Sequence, residues 1–196
     1  MTMRSESAFD TATRIVAGDD RTHYDGVAMT LHWLTALLVI VQFGLAQLWD
    51  FFPRPTHRAM VVAHMSFGII LTAVIVARIV WRLLPGHQVP AIEVGWAGRL
   101  AKAVHYLLYV LLAAVALLGF VTRWSEGRDM SFFGLLIPGP FGPFERSTHL
   151  MIQGWHEKIG WAIIIVAAGH AAAALYHHFV LKDRVLRRML PGSAGG

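Results

Sequence analysis

Cysteine is absent from the 196-residue sequence, and this absence excludes several classes of redox site. Iron–sulfur clusters and thiolate zinc sites need cysteine ligands, while disulfides and covalently attached c-type haem need cysteine sulfur. Any redox group in this chain must therefore be held by histidine or methionine.

Charged residues are also scarce, at 15% of the chain, whereas 56% of the residues are hydrophobic and the mean hydropathy is +0.52. Such a chain is too apolar for an ordinary soluble domain and too short for several domains. The lipid bilayer is therefore the expected partner. The pI near 10.1 reflects the uneven placement of basic residues described below, so we predict no nucleic-acid binding.

Four apolar segments are each long enough to cross the bilayer core, which takes about 20 helical residues. They span about residues 27–48, 58–84, 102–122 and 154–181. Proline follows the first two segments, at Pro53 and Pro85, and ends a helix firmly. We predict an all-α fold, an integral membrane four-helix bundle.

The chain outside the four apolar segments consists of two ends and the connections between the helices, and nothing in the N-terminal end suggests chemistry. Residues 1–23 are polar and lack the basic start and apolar run of a signal peptide, so we predict a flexible cytoplasmic extension. Residues 24–191 form the predicted membrane domain, with a short amphipathic approach at 94–101, and residues 192–196 form a disordered tail. The long connection at 123–153 has an apolar centre broken by glycine and proline. We expect it to lie at the outer interface as a lid.

Lysine and arginine are more numerous on one side of the predicted bundle than on the other. The richer side holds the N-terminal segment, the connection between the second and third helices, and the tail after Leu181. Because cytoplasmic loops carry the excess of basic residues, both termini are predicted to be cytoplasmic.

Four of the 11 histidines lie within the apolar segments in a pattern that predicts two metal sites. His156 and His170 share the fourth segment, on nearly one face and about 21 Å apart. His64 on the second segment matches the depth of His156, and His32 on the first matches that of His170. Ionisable side chains inside a membrane are costly and usually functional. This layout suits two stacked haems, although each histidine can instead hydrogen-bond a neighbouring helix.

Other histidines have weaker patterns. His105 is a rival ligand, which can replace His170 opposite His32 or else bind a haem propionate or a quinone. His177 and His178 lie near the inner surface, where a propionate or proton-transfer role is expected. The remaining histidines are predicted to be solvated surface residues: His23, His57, His87 and His149.

Several of these motifs resemble the bacterial cytochrome b561 family. They are His32-Trp33, His64 with Gly68, Trp155-His156-Glu157, and the stretch from His170 to His177-His178, with Lys182-Asp183 and Arg188-Met189-Leu190-Pro191 in the tail. The similarity covers about residues 24–191.

The resemblance implies a di-haem cytochrome of the bacterial inner membrane. Within the family the chain looks most like the members that pass electrons from superoxide to ubiquinone. Carried over by position, His32 and His170 would bind one haem b, and His64 and His156 would bind the other.

Basic residues at the predicted outer mouth suggest a path for superoxide. Arg58 and Lys158 lie close in sequence to His64 and His156, and Trp155 adjoins a ligand. Positive charge near the outer haem would speed the encounter with a small anion, although such residues often only snorkel. Three arginines border the same mouth, Arg123, Arg128 and Arg146, and Glu157 is a candidate proton carrier.

Two alternatives come from other functional classes. One is a cytochrome b subunit that relays electrons from a soluble dehydrogenase or hydrogenase to quinone. The other is a redox-inactive bundle, such as a transporter or a histidine zinc site. Zinc needs three or four ligands at one depth, whereas these histidines separate into two levels.

Overall fold

The computed structural model describes residues 25–84, 95–183 and 185–190. The predicted N-terminal extension, the break at Pro85, the cation Arg184, and the tail from Pro191 lie outside these residues, as do His23 and His87.

Four long helices make up the described structure. They are α1 (Gly26–Leu48), α2 (Arg54–Leu83), α3 (Trp96–Ser125) and α4 (Arg146–Tyr176), and α4 continues as a π-helical turn at His177–Leu181. All 4 are long and apolar enough to cross a membrane. The predicted all-α membrane four-helix bundle is therefore confirmed.

Three of the helices extend beyond the apolar segments seen in the sequence. The second helix begins at Arg54, with Pro55 in its first turn, where a missing N–H costs nothing. The third begins at Trp96 and includes the residues expected to form a separate amphipathic approach. The fourth begins at Arg146, well before residue 154. Hydropathy identifies the part of a helix that crosses the hydrocarbon core. It does not detect the polar turns by which the helix extends beyond that core.

The helices pack in an antiparallel, up-and-down order. Asp25 caps α1 by accepting from the N–H of Ala28 and also accepts from Nε1 of Trp81, near the end of α2. The core contains residues from all four helices: Leu38, Leu71, Val74, Ile75, Leu112 and Ile163. Most of the remaining helix surface is apolar and exposed, such as Ile40 and Ile165 at 67% each, which is typical of a surface that faces lipid.

The connection between α3 and α4 contains a small β-hairpin that the sequence analysis did not predict. Strands β1 (Met130–Phe132) and β2 (Leu135–Ile137) pair antiparallel. Phe133 and Gly134 both have positive φ, 48° and 95°, as a two-residue hairpin turn requires. The turn was missed because Phe-Gly lacks the usual asparagine or aspartate.

A buried serine attaches this hairpin to α2. Ser66 is 0% exposed, and its Oγ accepts from the N–H of Phe133 at 2.8 Å and donates to the carbonyl of Val62 at 2.8 Å. Leu135 and Leu136, beyond the turn, are more than half exposed. We call this end of the bundle, residues 49–53 and 126–145, the hairpin end.

The opposite end of the bundle is the terminal end, residues 25, 84, 95, 182–183 and 185–190. There a single 3₁₀ turn, Arg187–Met189, is held against α1 because Trp33 Nε1 donates to the carbonyl of Met189 at 2.8 Å. The first and last described residues therefore lie at the same end of the bundle, as an even number of antiparallel helices requires.

Candidate functional site

Two histidines face each other near the hairpin end. His64 on α2 and His156 on α4 have ring centroids 6.3 Å apart, with planes inclined by 79°. We call them the hairpin-end pair.

Two more histidines form a similar arrangement nearer the terminal end. The rings of His32 on α1 and His170 on α4 have centroids 6.4 Å apart and planes inclined by 67°. This is the terminal-end pair. The structure thus brings together both combinations predicted from depth, with α4 contributing to each.

The separation in both pairs fits two imidazoles on opposite sides of one metal ion. An imidazole nitrogen lies about 2 Å from a bound transition metal, and the ring centre is roughly 1 Å further, so the centroids should be about 6 Å apart. The observed distances of 6.3 and 6.4 Å agree with this value. The four side chains therefore fit two haems with histidine on both faces.

Backbone carbonyls orient both rings of the hairpin-end pair. His64 Nδ1 lies 3.2 Å from the carbonyl of Gln42, and His156 Nδ1 lies 3.0 Å from the carbonyl of Val115. A carbonyl only accepts, so both Nδ1 atoms carry the proton and Nε2 remains the ligating nitrogen. Metal-bound histidines usually donate in this way.

A glycine on α3 gives the His156 ring its space. A Cβ added at Gly119 would lie 3.2 Å from Cε1 of His156, which is tighter than ordinary van der Waals contact. The small residue at this position therefore allows the close approach of α3 and the ring. This contact was not foreseen from the sequence.

The terminal-end pair has side-chain partners instead. Nη2 of Arg78 lies 2.8 Å from Nδ1 of His32, and a guanidinium only donates, so Nδ1 accepts here and the neutral ring carries its proton on Nε2. Binding of a metal by Nε2 would require this proton to leave Nε2 and the Arg78 contact to rearrange, which is not required of the hairpin-end pair. The same guanidinium lies 5.2 Å from the centre of the Tyr109 ring. No pattern in the sequence had singled out Arg78.

His105, the rival ligand, lies beside the terminal-end pair. Its ring centroid is 4.9 Å from that of His170, less than the spacing expected across one metal, and its Nδ1 donates to the carbonyl of Ala101 at 2.6 Å. This geometry favours His170 over His105 as the residue opposite His32.

The structure also bears on the zinc alternative. Within residues 25–84, 95–183 and 185–190, no group of three histidine, aspartate or glutamate side chains converges as a metal-ion site. The four paired histidines remain separated into two levels.

The predicted superoxide residues lie in the helical turns next to the hairpin end, and they do not face the histidine pair. Nζ of Lys158 lies 5.1 Å from the centre of the Trp155 ring, and that ring is 54% exposed. At about 100° per residue, Lys158 is about 200° round α4 from His156, and Arg58 is about 120° round α2 from His64. Their role in guiding an anion stays a prediction.

His149, predicted to be a solvated surface residue, instead borders a cavity. Its Nδ1 lies 2.9 Å from Oγ of Ser125, which is 1% exposed. The cavity has a volume of about 330 Å³, and its lining includes Glu126, Phe144 and Arg146. A signal was present in the sequence, since His149 lies two helical turns before His156 on nearly the same face.

His177 has an acidic partner at the terminal end. Its Nδ1 is 2.5 Å from Oδ2 of Asp183, and the N–H of Val185 donates to Oδ1. Partial burial raises the pKa of Asp183, but the hydrogen bonds from His177 and Val185 outweigh this effect and hold the pKa below its usual value. Within the described chain, the buried Nδ1 of His178 has no hydrogen-bond partner. A proton-transfer role for both histidines stays a prediction.

Comparison with known proteins covers nearly the whole chain. The model of a protein family described as prokaryotic cytochrome b561 matches residues 23–192. Cytochrome b561 homolog 2 of Escherichia coli (strain K12) is 31% identical over 177 residues, which are 87% of this chain and 93% of that protein.

Two further relatives have similar coverage. A probable superoxide oxidase CybB of Yersinia pestis is 30% identical over 174 residues, 88% of this chain and 98% of the relative. Cytochrome b562 of Cereibacter sphaeroides is 30% identical over 173 residues, 85% of this chain and 94% of the relative. The aligned part contains all four helices and both histidine pairs.

Proposed function

The chain belongs to the prokaryotic cytochrome b561 family, and on this premise we propose that it is a di-haem cytochrome that oxidises superoxide and reduces ubiquinone. Membership implies haem b and a role in electron transfer. The four membrane-length helices and the bacterial relatives indicate a multi-pass protein of the inner membrane.

The observation that carries the proposal is the pair of histidine spacings, 6.3 and 6.4 Å. His64 and His156 would hold one haem b, and His32 and His170 the other. A haem held by two histidines would supply one-electron transfer rather than oxygen binding. Because the two pairs lie at two depths on α4, two such groups would stand in series across the bilayer.

Superoxide as the electron donor is supported by one relative and by the charge at the hairpin end. The probable superoxide oxidase of Yersinia pestis is 30% identical over nearly its full length. In the helical turns next to the hairpin end, Arg58 and Lys158 are exposed cations, and Trp155 packs against Lys158. We assign these residues to attracting the anion to the protein surface. Long-range attraction does not require the side chains to face the histidines.

The overall reaction balances with ubiquinone as the acceptor. Two superoxide anions each lose one electron and leave as dioxygen. One ubiquinone gains the two electrons and two protons to become ubiquinol. The chain needs no thiol or iron–sulfur cluster for this reaction, in keeping with the absence of cysteine.

The proposed orientation places both termini in the cytoplasm and the hairpin end outside. The distribution of lysine and arginine supports it. Superoxide would then be intercepted on the outer side of the inner membrane. A reporter enzyme that works only in the cytoplasm should therefore be active when it is fused to either terminus.

The haem assignment is tested by a haem count. Pyridine extraction of the purified protein should yield two haem b per chain. A value of zero or one contradicts the two-site proposal. Replacement of any one of the four paired histidines should then remove one haem.

The donor is tested separately by rapid mixing with superoxide. We expect haem reduction by superoxide, followed by reoxidation when ubiquinone-1 is added. Lys158→Gln combined with Arg58→Gln should slow the first phase and weaken its dependence on ionic strength, while Lys102→Gln, the same change of charge at an exposed lysine near the terminal end, serves as the control. If superoxide does not reduce the wild-type protein, whereas a soluble dehydrogenase does, the chain is instead a relay subunit.

A further inference from the structure

Histidines recur at seven-residue intervals along one face of α4. His149 precedes the paired histidine His156 by seven residues, and His177 follows the paired histidine His170 by seven residues. Seven residues make nearly two full turns, so each outer histidine lies about 10 Å along the helix from its neighbour and within about 20° of the same direction. We call His149 and His177 the flanking histidines.

This face of α4 points into the bundle. Ile163, which lies on the same face midway between His156 and His170, is 4% exposed and belongs to the core. The flanking histidines are half-buried, whereas Met151 and Phe179, two residues beyond each of them, are 59% and 69% exposed. Each flanking histidine therefore lies between a histidine pair and the nearer end of the bundle, and is turned inward.

The cofactor that the histidine pairs fit has one charged edge. Haem b carries two propionate carboxylates on the same side of an otherwise apolar macrocycle. A carboxylate is costly to bury in hydrocarbon unless it is paired and hydrogen-bonded, so this edge is expected to turn towards the nearer membrane surface. For either histidine pair, that direction leads along α4 to a flanking histidine.

We propose that His149 and His177 each bind a propionate of the haem held by the neighbouring histidine pair. The inference rests on the proposed function for the two haems, and it is independent of the electron donor and acceptor. It goes further by naming a propionate-binding residue for each haem. For His177, it selects the propionate role over the proton-transfer role that the sequence left open beside it.

At the hairpin end, hydrogen bonds direct the His149 ring. The hydroxyl of Ser125, a residue 1% exposed, donates to the carbonyl of Thr122 at 2.9 Å, so its oxygen accepts from Nδ1–H of His149 at 2.9 Å. Nε2 is then the nitrogen that can meet a ligand. As an imidazolium, the ring donates from both nitrogens and carries the positive charge that strengthens a hydrogen bond to a carboxylate.

The charges beside His149 also favour a carboxylate. The ring borders the cavity of about 330 Å³ between α3 and α4. Glu126, the acidic residue of the lining, is paired with Arg123 at 3.2 Å and with Arg128 at 3.4 Å, so its charge is balanced within the chain. Arg146 and His149 are then the basic groups of the lining that can attract a further carboxylate.

At the terminal end, Asp183 directs the His177 ring in a similar way. Oδ2 of Asp183 accepts from Nδ1 of His177 at 2.5 Å, and the N–H of Val185 donates to Oδ1. Because Asp183 engages Nδ1, a propionate would meet the Nε2 side of the ring. The Asp183 carboxylate also stabilises the imidazolium form, which donates from Nε2.

His57 provides a comparison on α2, because it precedes His64 by the same seven residues. The ring of Trp49 stands between these two histidines, with its centroid 6.0 Å from that of His57 and 5.3 Å from that of His64. Nδ1 of His57 lies 3.5 Å from the carboxylate of Asp50, in the segment that connects α1 and α2. His57 thus shares the spacing of the flanking histidines but is separated from the histidine pair.

The test uses full-length, haem-loaded protein in detergent. Resonance Raman spectra report the bending vibration of the propionates, whose frequency depends on the hydrogen bonds that the carboxylates accept. His149→Leu and His177→Leu should each shift this band for one haem, and the double variant should shift it for both. Each single variant should also lose one haem about tenfold faster to an apoglobin acceptor, the order expected for one lost hydrogen bond to a charged group.

His57→Leu is the matched control, and it should change neither the propionate band nor the rate of haem loss. His149→Gln retains a side-chain N–H donor, so its rate of haem loss should stay within about threefold of wild type. All variants should keep two haems per chain and an unchanged visible spectrum, because the four paired histidines are intact. If a leucine variant does not fold, Ser125→Ala or Asp183→Asn releases the same ring and should shift the same band.

Three results would overturn the inference. The first is an unshifted propionate band in the variants of both flanking histidines, and a shift at one end alone would refute the assignment at the other end. The second is an equal shift in His57→Leu. The third is faster haem loss with an unshifted band, which would make the flanking histidines packing residues only. A wild-type haem content of zero or one contradicts the proposed function instead.

Discussion

The hairpin-end pair and the terminal-end pair have almost the same ring spacing but different surroundings. Both rings of the hairpin-end pair have Nδ1 hydrogen-bonded to a backbone carbonyl. In the terminal-end pair, Nδ1 of His32 accepts from Arg78, and the His170 ring contacts that of His105. Backbone fixes the tautomer of the first pair, whereas side chains set the environment of the second. The two sites should therefore differ in rigidity and in electrostatics.

The strongest test removes one member of each pair. His156→Ala and His170→Ala should each lower haem content from two to one per chain, because a single axial imidazole holds the cofactor much more weakly. Pyridine extraction measures the content. His57→Ala serves as the control, since that side chain is 38% exposed and belongs to neither pair. Two haems in either paired variant would rule out that histidine as a ligand.

A smaller effect is expected from adding one methyl group beside the hairpin-end pair. In Gly119→Ala the new Cβ would lie 3.2 Å from Cε1 of His156 and displace the ring, at a cost of about 1–3 kcal/mol. One haem should be lost faster to an apoglobin acceptor, by about tenfold. Gly160→Ala is the matched control, because nothing lies within 4 Å of its Cβ and haem loss should not change. Equal rates for both variants would contradict the crowded geometry.

The charge difference between the pairs can be tested by redox titration. Arg78 places a positive charge against His32, which favours the reduced, less positive state of a metal bound there. Arg78→Gln should lower one of two midpoint potentials by roughly 30–60 mV, where 59 mV is a tenfold change for one electron. Arg54→Gln, at the far end of α2, should change neither potential. A shift of both potentials by the same amount would show that the effect is not local.

The smallest expected effect concerns the pairing of Asp183 with His177. The pKa of Asp183 is held below its usual value, so the stability it contributes is fully present above the unfolded pKa of about 3.9. That contribution is lost as pH falls through the lower, folded pKa. Asp183→Asn should therefore destabilise the protein by about 1 kcal/mol at pH 7 and by less near pH 3. Thermal unfolding in detergent at both pH values checks this, and a pH-independent difference would count against the pairing.

The fold was largely predictable from the sequence, and the helix ends were not. Long apolar segments identify membrane helices because a bilayer imposes one length and one polarity on every span. The starts of the helices at Arg54, Trp96 and Arg146 were misplaced because polar end turns lie in the interface, where hydropathy carries no signal. The hairpin was missed because it is anchored by Ser66, a long-range contact that no local pattern indicates.

The candidate site was likewise predictable from the sequence only in part. The pairing of His64 with His156 and of His32 with His170 followed from depth alone, and the ring spacings agree with it. The cavity beside His149 was missed, because it depends on which faces of α3 and α4 meet. Arg58, Lys158 and Trp155 were grouped by nearness in sequence, which does not decide the direction of a side chain.

The sequence by itself determined that this chain spans a membrane four times and carries four histidines at two depths. Both conclusions depend only on hydropathy, helical rise and alternation of direction, which are properties of each segment. Only the tertiary structure decided which partners face those histidines, that Gly119 admits the His156 ring, and that a cavity lies beside His149. These features depend on the rotation of each helix about its axis, which is set by packing between residues far apart in the chain.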